Sequence, residues 1–326
     1  MFFIFTIIKL RKKVGNNFKK SKTCCLFINV NDISKKLFEG EKFNKKFRAI
    51  HFDAEDNNKS IEEYIRKFNI HHIVVEASNV NQISKNLAQN LVQSKISGIK
   101  VYEIHEFYEL VNKRVPLVKY NSNEYLADDI LSLGNKNSYF LFKRGIDLLV
   151  TILLLPLAMP FILLGMLMVY ITSPGNVFFV QTRVGKNSIP FKIFKLRTMK
   201  LHHDGGFTEE DDDRVLPLGK FLRLTKIDEL PQLFNILKGE MSLIGPRPER
   251  PEFVKMAIDE NAYFDLRHIV KPGVTGWAQV NLPKATPKDN LKKLEYDLYY
   301  IKNNSILLDI IIILNTIKIV FTMNSN

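Results

Sequence analysis

The chain has 326 residues, 46% of them apolar, with 47 Lys and Arg against 34 Asp and Glu. That length predicts about two domains with a sizeable core, and it excludes a disordered chain or a small disulfide-stapled one. The charge excess of +13 is local: residues 1–22 hold seven basic side chains and residues 171–203 hold six, neither stretch with an acidic one. Two basic strips fit an anionic surface or ligand met at two places, and no nucleic acid partner is expected.

Met1 to Ile8 is apolar and the positive charges follow it, the reverse of a secretory signal. Residues 1–22 therefore read as a basic, apolar-tipped segment lying against an anionic leaflet, or else as a frayed terminus. Cys24 and Cys25 are adjacent, so on a strand they point to opposite faces; neither a disulfide nor a metal site is expected, and a reducing cytoplasm is.

Residues 23–115 alternate short apolar runs with helical stretches. Strands are expected at 24–30, 47–52, 70–76 and 99–104, with helices at 32–39, 61–68, 82–94 and near 107–112. The pattern predicts βαβ units around a parallel sheet, a Rossmann-like domain. Its first strand-to-helix turn, Ile28 to Asp32, contains no glycine, so the backbone cannot approach a pyrophosphate closely. A docking or regulatory module is expected there. Residues 116–142, with Pro116 and two Asn/Ser-rich runs, read as a linker.

A catalytic domain is expected over 143–326. Residues 148–171 carry no formal charge, enough at ~1.5 Å per residue to cross the ~30 Å hydrocarbon core. Pro156 and Pro160 fall near the middle, and both flanks are basic (Lys143, Arg144; Arg183, Lys186), so the charge bias that orients a spanning helix is missing. A re-entrant helix that breaks at the prolines and returns to the same face meets both observations. Asp147, just before the run, would complement the positive end of its dipole. Short strands follow near 177–180 and 191–196, then an acidic loop at 209–213. The Ile-rich stretch 306–321 carries Asp309, Asn315, Thr316 and Lys318 at roughly helical spacing, which suggests an interfacial helix.

Leu230, Leu233, Phe234 and Leu237 recur at helical spacing, with Pro231 tolerable only in a first turn and Gly239 as terminator. The helix should start near Asp228, putting a carboxylate among free N–H groups that also bind phosphate. Asp228 and Glu229 diverge around the axis and would hold different roles; an ordinary Asp N-cap beside an exposed Glu is the alternative. Arg247, between Pro246 and Pro248, is presented from a stiff segment suited to a phosphate, while Lys195, Arg197 and Arg223 add cations. Trp277 follows a Pro-Gly turn and reads as core or membrane-interface packing. No zinc spacing, Ser-His-Asp arrangement or P-loop occurs, and His202-His203 lacks metal-site geometry.

In order, Lys143-Arg144-Gly145-Ile146-Asp147, Gln181-Thr182-Arg183-Val184-Gly185, Phe191 to Met199, Asp213-Arg214, Asp228 to Leu233, Gly239 to Leu243, Gly245-Pro246-Arg247-Pro248, Pro272 to Val280 and Asp297 to Tyr300 resemble the bacterial sugar transferases, polyprenyl-phosphate glycosyl-1-phosphate transferases. The likeness covers about residues 140–321. It implies a monotopic phosphoglycosyl transferase in the cytoplasmic (inner) membrane, catalytic domain facing the cytoplasm, its re-entrant helix kinked at Pro160. Such an enzyme transfers a sugar 1-phosphate from a nucleotide diphosphate sugar, by expectation a UDP-sugar, to polyprenyl (undecaprenyl) phosphate. It thereby begins surface glycan assembly. The resemblance makes Asp228 the nucleophile and a Mg²⁺ ligand, with Glu229 completing the pair, and leaves a homo-oligomer open. After Val280 the family commonly has Gly-Arg, whereas this chain has Asn281-Leu282-Pro283-Lys284. That departure favours a rival reading, a membrane scaffold that binds nucleotide sugars and recruits glycan enzymes without catalysis.

Overall fold

The structure, a computed structural model, describes residues 22–53, 60–76, 85–117, 137–200, 212–286 and 289–322. The N-terminal segment (1–21), most of the expected linker, residues 82–84 of one expected helix, the His202-His203 pair and part of the acidic loop lie outside the described residues. The chain divides into two compact units, Met1–Lys113 and Arg114–Asn326.

In the first unit the elements run β1 (Thr23–Ile28), α1 (Asp32–Lys36), α2 (Glu41–Lys46), β2 (Phe47–Phe52), α3 (Ile61–Phe68), β3 (Ile70–Val75), α4 (Lys85–Ile96), β4 (Lys100–Glu103) and α5 (Ile104–Asn112). The four strands form one sheet in the order β2-β1-β3-β4, every pairing parallel. Cys25 and Phe27 join one apolar cluster and Leu26 and Ile28 another, so β1 is buried on both faces, as βαβ crossovers require. Helix α2 was not expected from the sequence. It packs through one residue, Phe43, too little to give a periodic pattern. At the glycine-free turn, the buried Glu76 carboxylate accepts from the Asn31 N–H and Nδ2, both at 2.8 Å, and from Ser34 Oγ at 2.9 Å. The end of the first strand is thus filled by the protein's own anion.

In the second unit α6 (Asn137–Thr172) comes first, 36 residues and roughly 54 Å of contour at ~1.5 Å per residue. It begins well before the expected 148, inside the stretch read as linker. The reason is tertiary: Phe140 packs on the main core and Lys143 pairs with Asp309 at 2.8 Å, contacts that local composition does not reveal. Asp147 consequently lies in the helix and not at its positive end. It accepts from Ser242 Oγ at 2.7 Å and the Leu243 N–H at 3.2 Å, pinning α6 to a strand. The expected break at the prolines is not seen: Pro156 and Pro160 both lie within continuous helix, whose other backbone hydrogen bonds carry it past them. Among the described residues α6 is the one helix long and apolar enough to cross a membrane; only 22% of its most apolar stretch is buried.

A hairpin, β5 (Phe178–Val184) with β6 (Pro190–Leu196), follows, then α7 (Pro217–Thr225), a 3₁₀ turn (Ile227–Glu229) and α8 (Gln232–Lys238). Next come β7 (Ser242–Ile244), α9 (Pro251–Glu260), a 3₁₀ stretch (Ala262–Ile269) and β8 (Gly273–Thr275), which pairs parallel with β7. Helices α10 (Trp277–Asn281), α11 (Asn290–Lys302) and α12 (Ile306–Phe321) close the unit. Trp277 is core, stacked on Tyr299 at 6.1 Å between centroids.

Helix α12 turns part of its polar set inward. Its polar residues do not make a uniformly wet face: Asp309 is buried, and Thr316 bonds Thr275 at 2.7 Å. Leu307, Ile310, Leu314 and Ile317 are exposed instead. An apolar face turned outward beside the exposed α6 leucines is what a lipid environment, not water, accommodates.

Candidate active site

Asp228 and Glu229 lie in the 3₁₀ turn and not in the first turn of α8. Pro231 explains the shift: it has no N–H to give the Ile227 carbonyl in an α pattern, and Leu230 makes the shorter i→i−3 bond to that oxygen at 3.2 Å. Lys226 enters the turn left-handed, at φ 59°, and Gly239 ends α8 at φ 85° as its position in the sequence predicts. The buried face also differs from the expected one. Gln232, Leu233, Asn235 and Ile236 are buried and Phe234 is exposed.

Two elements bring cations to the turn. Strand β6 presents Lys195, whose Nζ donates to Glu229 Oε1 at 2.7 Å. Asn235, fully buried, fixes that strand to α8 by accepting from the Phe194 N–H at 3.2 Å and donating to the Lys192 carbonyl at 2.7 Å. The β7–α9 loop presents Arg247, whose Nη2 donates to the same Glu229 oxygen at 2.9 Å. The loop is held by backbone contact. Gly245 N–H bonds the Thr275 carbonyl and Gly273 N–H bonds the Pro246 carbonyl, both at 2.9 Å. A Cβ on Gly245, Gly273 or Gly276 would collide with backbone of the facing segment. The Pro272–Gly276 motif is thus the bed on which Arg247's loop lies. From the other side Arg267, itself paired with Asp297 at 2.7 Å, donates to the Arg247 carbonyl at 3.0 Å.

The two carboxylates acquire different chemistry. Burial alone would raise Glu229, but Arg247, Lys195 and Lys226 outweigh it and hold Glu229 well below the usual carboxylate range. Burial and the neighbouring Glu229 charge push Asp228 up to about 6, against the pull of Lys195, Lys226 and Arg223. Asp228 Oδ1 is buried without a hydrogen-bond partner. Arg183, Ile193, Lys195, Gln232, Arg247 and Pro248 line a small, narrow cleft. Gln232 Nε2 is likewise buried without a partner.

The other sequence candidates take separate places. Arg223 donates through Nε to Thr198 Oγ1 at 2.9 Å, and its charge is felt at Asp228. Arg197 is 5% exposed and donates to the Ser173 carbonyl just beyond α6, its Nε and Nη1 without partners. Neither makes a hydrogen bond to the carboxylate pair among the described residues. Pro160 lies in α6 between Ala158 and Ile162, which pack against Phe191, Ile193 and Leu233 beneath the site. The signature opening at Lys143 is scaffold: Arg144 donates to the Ile236 and Leu237 carbonyls at 2.6 and 3.1 Å, capping α8. Asn281, in the altered segment, spends its amide on the Trp277 carbonyl at 2.9 Å. Sequence reasoning read Arg183 only as a basic flank and motif residue, quoted Gln232 within a motif without a role, and gave none to Asn235 or Arg267. A polar residue within the apolar run Leu233–Leu237 was the one readable signal, and it marks Asn235.

Among the described residues no three His, Cys, Asp or Glu side chains converge to hold a metal. Mg²⁺ needs no such cage, since one carboxylate, water and substrate phosphates can complete its shell. The unpartnered Asp228 oxygen fits that role.

The model of the bacterial sugar transferase family matches residues 138–323. The chain is 40% identical over 236 residues to UDP-N-acetylgalactosamine-undecaprenyl-phosphate N-acetylgalactosaminephosphotransferase of Aeromonas hydrophila, covering 71% of this chain and 55% of that protein. It is 36% identical over 244 residues to UDP-glucose:undecaprenyl-phosphate glucose-1-phosphate transferase of Escherichia coli (strain K12), covering 72% of this chain and 50% of that one. A Caulobacter vibrioides protein of the same description is 39% identical over 192 residues, 56% of this chain and 71% of its own length. The chain spans about half the length of the first two relatives. With the matched region covering the whole of the carboxylate pair, its cations and the long apolar helix, the chain belongs to the bacterial sugar transferase family.

Proposed function

We propose that the chain is a phosphoglycosyl transferase that moves a sugar 1-phosphate from a UDP-sugar to undecaprenyl phosphate, as the names of its relatives describe for them. The observation that carries this reading is the division of labour in one buried turn. Glu229 is neutralised by Lys195 and Arg247, while Asp228 keeps an unpartnered oxygen.

Asp228, with an acid strength near 6, is mostly ionised at neutral pH and attacks the phosphorus that carries the sugar. The new bond joins aspartyl oxygen to phosphorus; the phosphoanhydride bond breaks, and its electron pair leaves with the nucleoside monophosphate. A phosphate oxygen of the polyprenyl acceptor then attacks the same phosphorus and returns the carboxylate. Lys195 and Arg247, oriented by Glu229, face the cleft and counter the phosphate charge that would otherwise repel the nucleophile. Mg²⁺ held at Asp228 would supply further charge neutralisation on the donor diphosphate. Arg183 adds a third cation; burial and the nearby Arg247 lower it to about 10, so it stays charged at neutral pH.

In this reading α6 enters the cytoplasmic leaflet and turns back to the same face, Pro156 and Pro160 being the points at which a bilayer would bend the helix that is continuous here, so that the carboxylates meet the acceptor headgroup at the membrane surface. The basic residues flanking both ends of its apolar stretch and its exposed leucines support this placement. The test is release of UMP from a panel of UDP-sugars by detergent-solubilised protein with Mg²⁺, with and without undecaprenyl phosphate. Release that depends on Asp228, and that goes beyond one UMP per site only with the acceptor, supports the transferase. Binding of a UDP-sugar without release supports the scaffold that the 281–284 segment favours.

A further inference from the structure

Tyr300 belongs to the Asp297–Tyr300 motif and lies on α11. Its side chain is buried, and its hydroxyl stands 2.9 Å from Asp309 Oδ1 and 3.3 Å from the Ile244 carbonyl oxygen. Asp309, on α12, is held in turn through Oδ2 by Lys143 Nζ at 2.8 Å and Tyr139 Oη at 3.0 Å, both from α6. One carboxylate therefore gathers α6, α11 and α12 and sets the hydroxyl that touches the end of β7.

Ile244 is the last residue of β7, and Arg247 follows three residues later. Little between them can absorb a displacement. Gly245 is in backbone contact with the β8 segment, and Pro246 and Pro248 fix φ on either side of Arg247. Thr275, which pairs with Ile244 across β7 and β8, is touched on its hydroxyl by Thr316 of α12 at 2.7 Å. The strand end that feeds the guanidinium is thus gripped by hydroxyl groups from two helices. Ile244 is itself buried, so its carbonyl also loses a hydroxyl partner if Tyr300 lacks its oxygen.

We propose that Tyr300 is a positioning residue for Arg247: its one hydroxyl hydrogen, shared between Asp309 Oδ1 and the Ile244 carbonyl, ties the end of β7 to α12 and so aims the Gly245–Pro248 loop at Glu229 and the donor diphosphate. This rests on the functional reading above for its kinetic readout and on geometry alone for its binding readout.

The test is a double-mutant cycle of Tyr300→Phe and Arg247→Lys, reading kcat and KM for the UDP-sugar beside its calorimetric Kd. Active sites are counted by the burst of UMP. Tyr300→Phe is expected to lower kcat/KM about ten-fold per active site, since misplacement of a phosphate-binding group by a fraction of an ångström is felt at that scale. The double variant should be no more than about two-fold worse than Arg247→Lys alone, because both act on one guanidinium. Effects that multiply overturn the proposal. So does a Tyr300→Phe enzyme that loses thermal stability while kcat, KM and Kd per site stay unchanged. If Tyr300→Phe does not fold, Asp309→Asn serves in its place, with the same non-additivity expected. A wild-type chain that binds UDP-sugar without turnover, and whose Kd still shows the coupling, fails the transferase reading and leaves Tyr300's role standing. Turnover with additive effects does the reverse.

Discussion

Asp228 and Glu229 are consecutive and comparably buried, yet Glu229 accepts from two cations while one oxygen of Asp228 accepts from nothing. The 3₁₀ turn produces the split: neighbours on it diverge, and only Glu229 meets both Lys195 of β6 and Arg247 of the loop. Exchanging each for its amide should therefore give different lesions. Asp228→Asn should reduce turnover on the order of 10³-fold or more, with UDP-sugar binding retained. Glu229→Gln should weaken donor binding as well, because Lys195 and Arg247 lose the anion that orders them. Kinetics and calorimetry on the two variants check this; near-wild-type turnover by Asp228→Asn would remove it as nucleophile.

The buried Arg267–Asp297 pair sets a pH dependence of stability. Burial outweighs the Arg267 charge and raises the Asp297 carboxyl from its ordinary 3.8 to about 6. Between those values the folded state binds more protons than the unfolded one. The contribution is therefore fully present below about pH 4 and lost as pH rises through 6. At ~1.4 kcal/mol per unit the loss is about 3 kcal/mol. Urea titrations from pH 4 to 8 should show a decline in the wild type and a smaller one in Asp297→Asn, the remainder being that of Asp228; equal slopes would contradict the assignment.

Gly273→Ala should be costly out of proportion to one methyl group. Its Cβ would meet the Gly245 nitrogen and the Thr275 carbonyl, so two backbones must part. A loss of about 1–3 kcal/mol is expected for such overpacking, with activity falling further as Arg247 moves off Glu229. By contrast Gly40, with nothing near its Cβ position, should accept alanine with little change. Thermal midpoints beside activity for both variants make the comparison.

Cys24 and Cys25 should differ in reactivity. Cys25 is fully buried, and burial together with the adjacent Cys24 pushes its thiol up to about 12. At pH 8 in the folded protein, maleimide should modify Cys24 alone, and both thiols only after denaturation. Rapid labelling of Cys25 in native protein would show that the sheet core opens.

The alternating first unit was legible because parallel strands covered on both faces are short apolar runs bounded by polar turns. β2 and α3 begin and end where the pattern places them. The start of α6 was not, because the residues that extend it are held by Asp309, more than 160 positions away. The same holds for the site. Asp228 and Arg247 stood out locally, one by its helix-start position and the other by its prolines. Nothing local tells that Gly273 supports Arg247's loop, or that Tyr300 reaches the Ile244 carbonyl. Arg197 shows the opposite failure: a cation in a basic strip reads as a phosphate ligand, and the fold uses part of it to cap the end of α6.

The proposed reaction turns on a covalent bond to Asp228. The most direct measurement is intact-protein and peptide mass spectrometry after incubation with UDP-N-acetylgalactosamine or UDP-glucose and Mg²⁺, without acceptor. A mass increase of one phosphosugar is expected, located on the peptide containing Asp228, lost on adding undecaprenyl phosphate and missing from Asp228→Asn. Acceptor-dependent turnover without any such adduct, retained in Asp228→Asn, would contradict it and point to direct transfer between the two substrates.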